Sequence, residues 1–511
     1  NDLGERENAR EYLERALTAR REAKDCFGEG STLHNLAGTY NNLGDLAKAR
    51  TTFDQALQVR RDCGDKRGEL VTLNGLGQLY AGRGDFKQAV PFYEEVQKLA
   101  HAAGDQRSEA EALFGLGRAA RQRGNPQQAQ TLYQQALPLY QATSNRTGEA
   151  SVLQGLGIVY LESGDNEKAI DHLTRALSLA REAKNRGLEA NILSPLASAY
   201  GESGDPRKEI ELSNEALAIW REINNPRSEA SLLNNLAMLY RSLGERQRAL
   251  ALFKESLEKA VKFGGTRGTA PQLQGLATTY NELGEKQQSL DYFLQALEVA
   301  RQLKDPVFEA STLENLGILY NSLGDHERGV EQLQQALSIA QKINNPRLET
   351  GILLNLGWLN YGGGEYAKAL EAFESVQTRK GSNPATVIYA LSGAALVHNK
   401  QKQSDQALEL LNRALTEARK LGNRSAEATT LQYLGMVNHE RSEAAAAREF
   451  FTQALQLERE TGDRSGEATT LFGLAKLERE AGNLDAARTQ IEAALEVVEG
   501  LRTKVASQDL R

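Results

Sequence analysis

The sequence predicts an all-α protein, an α-solenoid of stacked antiparallel helix pairs, and three observations carry that prediction. Glycine recurs 40 residues apart at Gly44, Gly84, Gly124, Gly164, Gly204, Gly244, Gly284, Gly324 and Gly364. Each period holds two stretches whose apolar residues fall at i, i+3, i+4 and i+7, the stripe of a helix with one buried face. Asp or Asn precedes the first stretch of nearly every period, where a short acceptor side chain satisfies the free N–H groups of a helix start. A fixed period of this length marks a repeat architecture.

Within the first full period, Leu33, Leu36, Ala37 and Tyr40 share one face and define helix A. Ala49, Phe53, Ala56 and Leu57 define helix B. Gly44 ends helix A, and Asp45 begins helix B. Predicted caps of helix A are Asp25, Asp65, Asp105, Asn145, Asn185, Asn225, Asp305, Asn345, Asn383, Asn423 and Asp463. Proline follows four of them, at Pro226, Pro306, Pro346 and Pro384, and Pro126 and Pro206 stand at the same point of helix B. Proline at the first helical position loses nothing by lacking an N–H. After Gly364 the step falls to 38 once, and Ala369, Ala407, Ala447 and Ala487 carry the phase onward.

This register divides the chain into a partial repeat of helix B alone over 1–24 and repeats one to nine over 25–377. Repeats ten to twelve follow over 378–500 after an irregular junction, and a tail covers 501–511. The pattern breaks at Tyr361-Gly362-Gly363-Gly364, at Glu209 and Ser213, and at Gly264-Gly265 and Thr269. Weakened stacking is expected near 362–402, where the glycines and the 38-residue step coincide.

The chain has 511 residues, too many for one compact core, and a net charge of −7. That balance argues against a basic nucleic-acid-binding face. The least polar stretch, Val387 to Val397, is shorter than the roughly 20 residues that cross a bilayer. No leader pattern opens the chain, so a cytoplasmic location is expected. Cys26 and Cys63 form no CxxC pair, and they are expected to be inert thiols in a reducing compartment rather than a disulfide. The six histidines have no metal-ligand spacing. Gly75-x-Gly77, Gly115-x-Gly117 and Gly155-x-Gly157 lie inside helix A rather than after a strand, so they are not nucleotide loops. No catalytic residue, metal or cofactor is predicted.

The order Leu33-x-x-Leu36-Ala37-x-x-Tyr40, followed by Ala49-x-x-x-Phe53, resembles the tetratricopeptide repeat (TPR), with Leu at the place of its first Trp. The likeness recurs through twelve periods, from Leu3 to about Glu499. A 40-residue period is similar to the longer-repeat members: kinesin light chains, the Gα-regulating polarity scaffolds and bacterial regulatory arrays. The resemblance implies a right-handed superhelix with helix A lining a concave groove, and a protein or extended peptide as partner. No nucleic acid or membrane partner is expected.

In those long-repeat members an Asn at the register of Asn35 typically clamps a peptide backbone, and here the residue is either such a clamp or simply a tolerated solvent-facing side chain. Here that register holds Asn35, Asn235, Asn315 and Asn355, and elsewhere Gly75, Gly115, Gly155, Pro195, Gly275, Gly393, Tyr433 and Gly473. An amide offers both donor and acceptor to any peptide group. The same groove face carries Asn74 and Asn234 one position earlier. Leu354, Trp358 and Tyr361, with Tyr389 on the next repeat, form either an apolar hot spot or a filler of a packing gap. Arg118 and Arg121 form either a small basic site or an ordinary solvated face. The tail Leu501–Arg511 resembles the joint to a CHAT domain, a caspase-like protease, in bacterial TPR proteins. Two functional expectations follow: a non-enzymatic interaction scaffold, or the sensor arm of an effector whose protease lies in cis.

Overall fold

The computed structural model describes residues 2–264 and 268–509, with side chains from 7 to 263 and from 268 to 500. Among the described residues there are α-helices and no strand. The chain divides into two compact units, Asn1–Asn225 and Pro226–Arg511.

The first unit opens with α1 (Asp2–Glu22), a helix B without its own helix A. Five pairs follow: α2 (Cys26–Leu43) with α3 (Leu46–Asp62), α4 (Lys66–Ala81) with α5 (Phe86–Ala103), α6 (Gln106–Gln122) with α7 (Pro126–Ala142), α8 (Arg146–Glu162) with α9 (Asn166–Glu182), and α10 (Arg186–Glu202) with α11 (Pro206–Glu222). The second unit holds seven: α12 (Pro226–Ser242) with α13 (Arg246–Gly264), α14 (Ala270–Glu282) with α15 (Lys286–Leu303), α16 (Pro306–Ser322) with α17 (His326–Lys342), α18 (Pro346–Gly362) with α19 (Tyr366–Thr378), α20 (Pro384–Lys400) with α21 (Ser404–Lys420), α22 (Arg424–Glu440) with α23 (Ala444–Thr461), and α24 (Arg464–Glu480) with α25 (Leu484–Asp509). These are the twelve A–B pairs and the half-repeat that the 40-residue period predicts.

The helix boundaries follow the predicted punctuation. Asp25, Asp65 and Asp105 each accept a hydrogen bond from the N–H three residues on, at Gly28, Gly68 and Ser108. Gly44 closes α2 in the left-handed region at φ +85°, which glycine enters without a Cβ penalty. An ion pair across eight residues ties each B helix to the next A helix in several places: Arg21–Glu29 and Arg61–Glu69 at 2.7 Å, Arg181–Glu189 at 2.9 Å and Arg459–Glu467 at 2.8 Å. Proline is not confined to helix starts. Pro195 lies inside α10 and cannot donate to the Asn191 carbonyl one turn earlier. Gln154 on α8 donates to that carbonyl instead, at 2.9 Å, so the bond lost within the helix becomes a tie between two A helices.

The core is built around one large side chain of most B helices, α11 with Ser213 being an exception. Tyr93, Tyr133, Phe373 and Phe451 are essentially removed from solvent. Each ring is pressed between two A helices, and glycine stands on both sides. A Cβ at Gly77 would lie 2.6 Å from the Tyr93 ring, and one at Gly115 would lie 2.7 Å from it. Gly117 and Gly155 flank Tyr133 in the same way, at 2.5 and 2.8 Å. The close approach expected at the register of Ala37 is therefore present, with Gly157 against Leu173 at 2.5 Å as a further case.

A second match operates at the end of the B helices. Arg20, Arg60, Tyr140 and Glu458 each face a glycine eight residues later: Gly28, Gly68, Gly148 and Gly466. Where the B helix offers only Ala300 or Ala340, the residue eight positions later is the bulky Phe308 or Leu348, although Ala260 faces Gly268.

Successive A helices also touch one another, α2 with α4 through α8 with α10 in the first unit, and α16 through α24 in the second. The A helices therefore form the inner layer of each unit.

Two expectations are corrected. Cys26 and Cys63 are not separate inert thiols; they are joined, with Cα atoms 6.3 Å apart. The antiparallel pairing of α2 and α3 brings the start of one helix beside the end of the other, which the linear spacing conceals. The disturbance near 362–402 is also narrower than expected. α19 loses its last turn and the chain crosses 379–383 outside any helix, with Gly381 at φ +87°. The following helix α20 buries ten residues, from Ile388 to Asn399, so its stacking is not weakened. The tail stays helical through Asp509, and residues 510–511 lie outside the described residues, as does Gly265.

Candidate functional site

The inner layer is the surface on which the predicted groove residues fall. Asn35 on α2 and Asn235 on α12 are exposed. Asn315 on α16 is half-buried and donates to the Ser311 carbonyl of its own helix at 2.9 Å. Asn355 on α18 donates to Glu314 of α16 at 2.7 Å. Burial pushes the Glu314 carboxyl above its ordinary range, and the Asn355 bond opposes that shift. Asn74 is buried and donates to Glu111 of α6 at 2.7 Å, another tie between A helices. Asn234 is buried as well; its Nδ2 lies 3.7 Å from Met238 Sδ, and its Oδ1 has no partner among the described residues.

Arg118 is exposed on α6, above the buried ring of Tyr93, whose hydroxyl burial pushes up to about 12. Arg121 pairs with Glu162 of α8 at 2.9 Å, so its charge is already answered. The two arginines belong to one face but do not form an open cationic site.

The aromatic residues do converge. Trp358 packs edge-on against Tyr361 at 6.0 Å and against Phe373 of α19 at 5.3 Å. It also reaches Tyr433 of α22 at 6.4 Å, across the intervening helix α20. On α20, Gly393 faces the Phe373 ring, where a Cβ would lie 2.4 Å from it. Tyr389 on α20 lies close enough to influence Tyr433, and burial raises the hydroxyl pKa of Tyr361, Tyr389 and Tyr433 alike. Leu354 flanks the cluster, while Leu396 is buried below it.

One feature of this face escaped the sequence reading. Met238, Ile318 and Met436 keep 50%, 40% and 37% of their surfaces exposed, as several other large apolar side chains of the array do, but these three share one face. With Thr278, Trp358 and Leu396 they occupy one register, that of Gly38, on successive A helices of the second unit. The first unit has Gly38, Gln78, Arg118, Ile158 and Ser198 there, which is far more polar.

No three His, Cys, Asp or Glu side chains among the described residues are grouped to hold a metal ion. No helix among them is long and apolar enough to cross a membrane.

The sequence profile of the tetratricopeptide repeat matches residues 1–62, 28–102, 70–142, 108–182, 147–222, 228–302, 308–379 and 386–460. The chain belongs to the tetratricopeptide repeat family. Such repeats indicate a protein-interaction scaffold. No curated protein matches the sequence. Among solved structures, the TPR chain is similar to the signal transduction ATPase with numerous domains (STAND) protein PH0952 from Pyrococcus horikoshii, which has a tetratricopeptide repeat sensor. The two are 15% identical with a TM-score of 0.52, over 74% of this chain and 55% of that one. BtubC (BKLC) from P. vanneervenii is 24% identical over 44% of this chain and 92% of its own, with a TM-score of 0.39. The human IFIT1 dimer with PPP-AAAA is 18% identical over 83% and 89%, with a TM-score of 0.43. At 15% identity the likeness to PH0952 is one of fold.

Proposed function

We propose that the inner face of the A helices in the second unit binds an extended segment of a partner protein. The supporting observation is the exposed apolar register of Met238, Ile318 and Met436, continued by Trp358. Packed helix axes lie about 8–10 Å apart. An extended chain advances roughly 3.3 Å per residue, so about every third residue of the segment meets the stripe. Thr278 and the buried Leu396 interrupt the register, so a partner with apolar side chains at multiples of that interval fits it. Asn235, exposed beside Met238, offers a donor and an acceptor to the segment's backbone.

A photo-crosslinking residue placed at Ile318, followed by peptide mass spectrometry of the captured protein, identifies the segment. The Met238→Asp and Met436→Asp variants are expected to abolish that capture while leaving helix content and melting unchanged. Undiminished capture by both variants rules the stripe out as the binding surface.

A further inference from the structure

The two cysteines of the chain lie in different helices of the first pair, 37 positions apart in sequence and joined in the fold. Cys26 is the first residue of α2, and Cys63 caps the end of α3. Both are half-exposed, and their Cα separation of 6.3 Å is within the span of a disulfide. The corresponding places in the next pairs hold Lys66 with Ala103, and Gln106 with Thr143. Only the first pair carries the bond.

We propose that Cys26–Cys63 is a thiol–disulfide exchange site, closing a clasp on the first helix pair when oxidised and releasing it when reduced.

The place in the fold gives the clasp work to do. Between residues 7 and 22 no side chain of α1 is fully buried. α1 is held to α2 largely by polar contacts: the Tyr40 hydroxyl donates to Glu14 at 2.8 Å, Arg21 donates to Glu29 at 2.7 Å, and Arg20 pairs with Asp25. The A helices α4, α6 and α8 are covered on both sides by packed neighbours. At α2 one side is thinly covered, and a covalent link supplies the constraint that a buried core supplies elsewhere.

The chemistry is asymmetric. Cys26 stands at the first helical position, where free backbone N–H groups and the helix dipole favour an anion. Its thiolate is therefore the better leaving group. A thiolate of the glutathione class, or of a thioredoxin-class dithiol, attacks the Cys63 sulfur. The Cys26–Cys63 bond breaks, its electron pair departs on Cys26, and a mixed disulfide forms at Cys63. A second thiolate then attacks the reductant's own sulfur in that mixed disulfide. The products are the Cys63 thiolate and the reductant's disulfide. Two electrons have passed to the pair, and two protons complete the thiols. Glutathione disulfide or an oxidised dithiol protein reverses both steps.

The test uses the whole chain. Protein equilibrated with glutathione disulfide is denatured, alkylated with N-ethylmaleimide and weighed, with and without prior dithiothreitol. No label before reduction and two labels after it are expected. Hydrogen exchange on the same two states is expected to show amides of 26–62 exchanging at least about tenfold faster once reduced, with α8 and α9 unchanged. The double variant Cys26→Ser/Cys63→Ser is expected to match the reduced protein in either buffer. If that variant does not fold, the two states of the wild-type chain decide alone. Two labels without reduction, or equal protection in the two states, overturns the proposal.

Discussion

Replacing Gly115 by alanine tests how the repeats are fitted together. The new Cβ would stand 2.7 Å from two ring carbons of Tyr93 and 2.8 Å from a third, where ordinary contact is 3.4–4 Å. The ring has to withdraw by roughly 0.7–1 Å to restore contact distance. It has nowhere to go, because it is 2% exposed and the Gly77 backbone faces its other side, a Cβ there falling at 2.6 Å. Overpacking of this kind costs about 1–3 kcal/mol. Against it stands a helix-propensity gain of about 1 kcal/mol for Gly→Ala. The net expectation is destabilisation of about 0–2 kcal/mol. Shortening the ring reverses the sign. In a Tyr93→Leu background the clash is gone and only the propensity gain remains, so Gly115→Ala should then stabilise by up to about 1 kcal/mol. Urea unfolding of the four proteins in a double-mutant cycle measures this, with an expected coupling of about 2 kcal/mol. The same effect of Gly115→Ala in both backgrounds refutes the reasoning.

Trp358→Ala should cost about 2–4 kcal/mol of stability, because the indole packs on Phe373 and spans to Tyr433, whereas Ile318→Asp should change melting very little. Thermal melts of the two variants, read beside partner affinity, separate packing from binding. Glu458 is 1% exposed, faces the negative charges of Asp463 and Glu467, and has one oxygen without a partner, so burial raises its pKa from 4.5 to about 7. The folded state then holds a proton that the unfolded state has lost between those values, so stability falls as pH rises from about 4.5 to about 7 and levels off above. Glu458→Gln should flatten that slope and raise the melting temperature at pH about 8; an unchanged slope across the series counts against it. Hydrogen exchange should be fast at 379–383 and slow through α20, where ten residues are buried; fast exchange throughout α20 would restore the broader weak region.

The helix pairs were legible because their signals are periodic and local. Leu33, Leu36, Ala37 and Tyr40 describe one helix face, and Asp25 and Gly44 mark its ends without reference to any other helix. The register of Asn35 was not legible in the same way. Whether it holds glycine depends on a side chain in the preceding B helix: Phe53 goes with Gly75, Tyr93 with Gly115, Tyr133 with Gly155, Phe253 with Gly275 and Phe451 with Gly473. Leu173, Leu333 and Leu411 leave room instead for Pro195, Asn355 and Tyr433. Phe293 with Asn315 is the exception, and nothing in the structure explains it. The alternation was in the sequence, but 22 residues apart, and only contact geometry gives that spacing meaning. The joining of Cys26 to Cys63 was hidden for the same reason. The meeting of Trp358 and Tyr433 was hidden likewise, because it joins α18 to α22 across a whole repeat. The stripe of Met238, Ile318 and Met436 was not hidden, since the register of Gly38 already places it on the inner face.

The size matching at the ends of the B helices bears on how such an array can be recombined. Arg60 with Gly68, Tyr140 with Gly148 and Ala340 with Leu348 are each split between one period and the next. So are the ring–glycine pairs that vary, whereas the partner inside the period is always small and fits any ring. Excising one A–B period and inserting it elsewhere therefore separates two matched residues at each new seam. A cassette cut at the Gly44-type turns, running from a B helix through the following A helix, keeps these matches inside the moved piece, with Gly201 and Glu209 as an exception. Chimaeras spliced at those turns should assemble where chimaeras spliced at the Asp65-type turns lose cohesion at the joins.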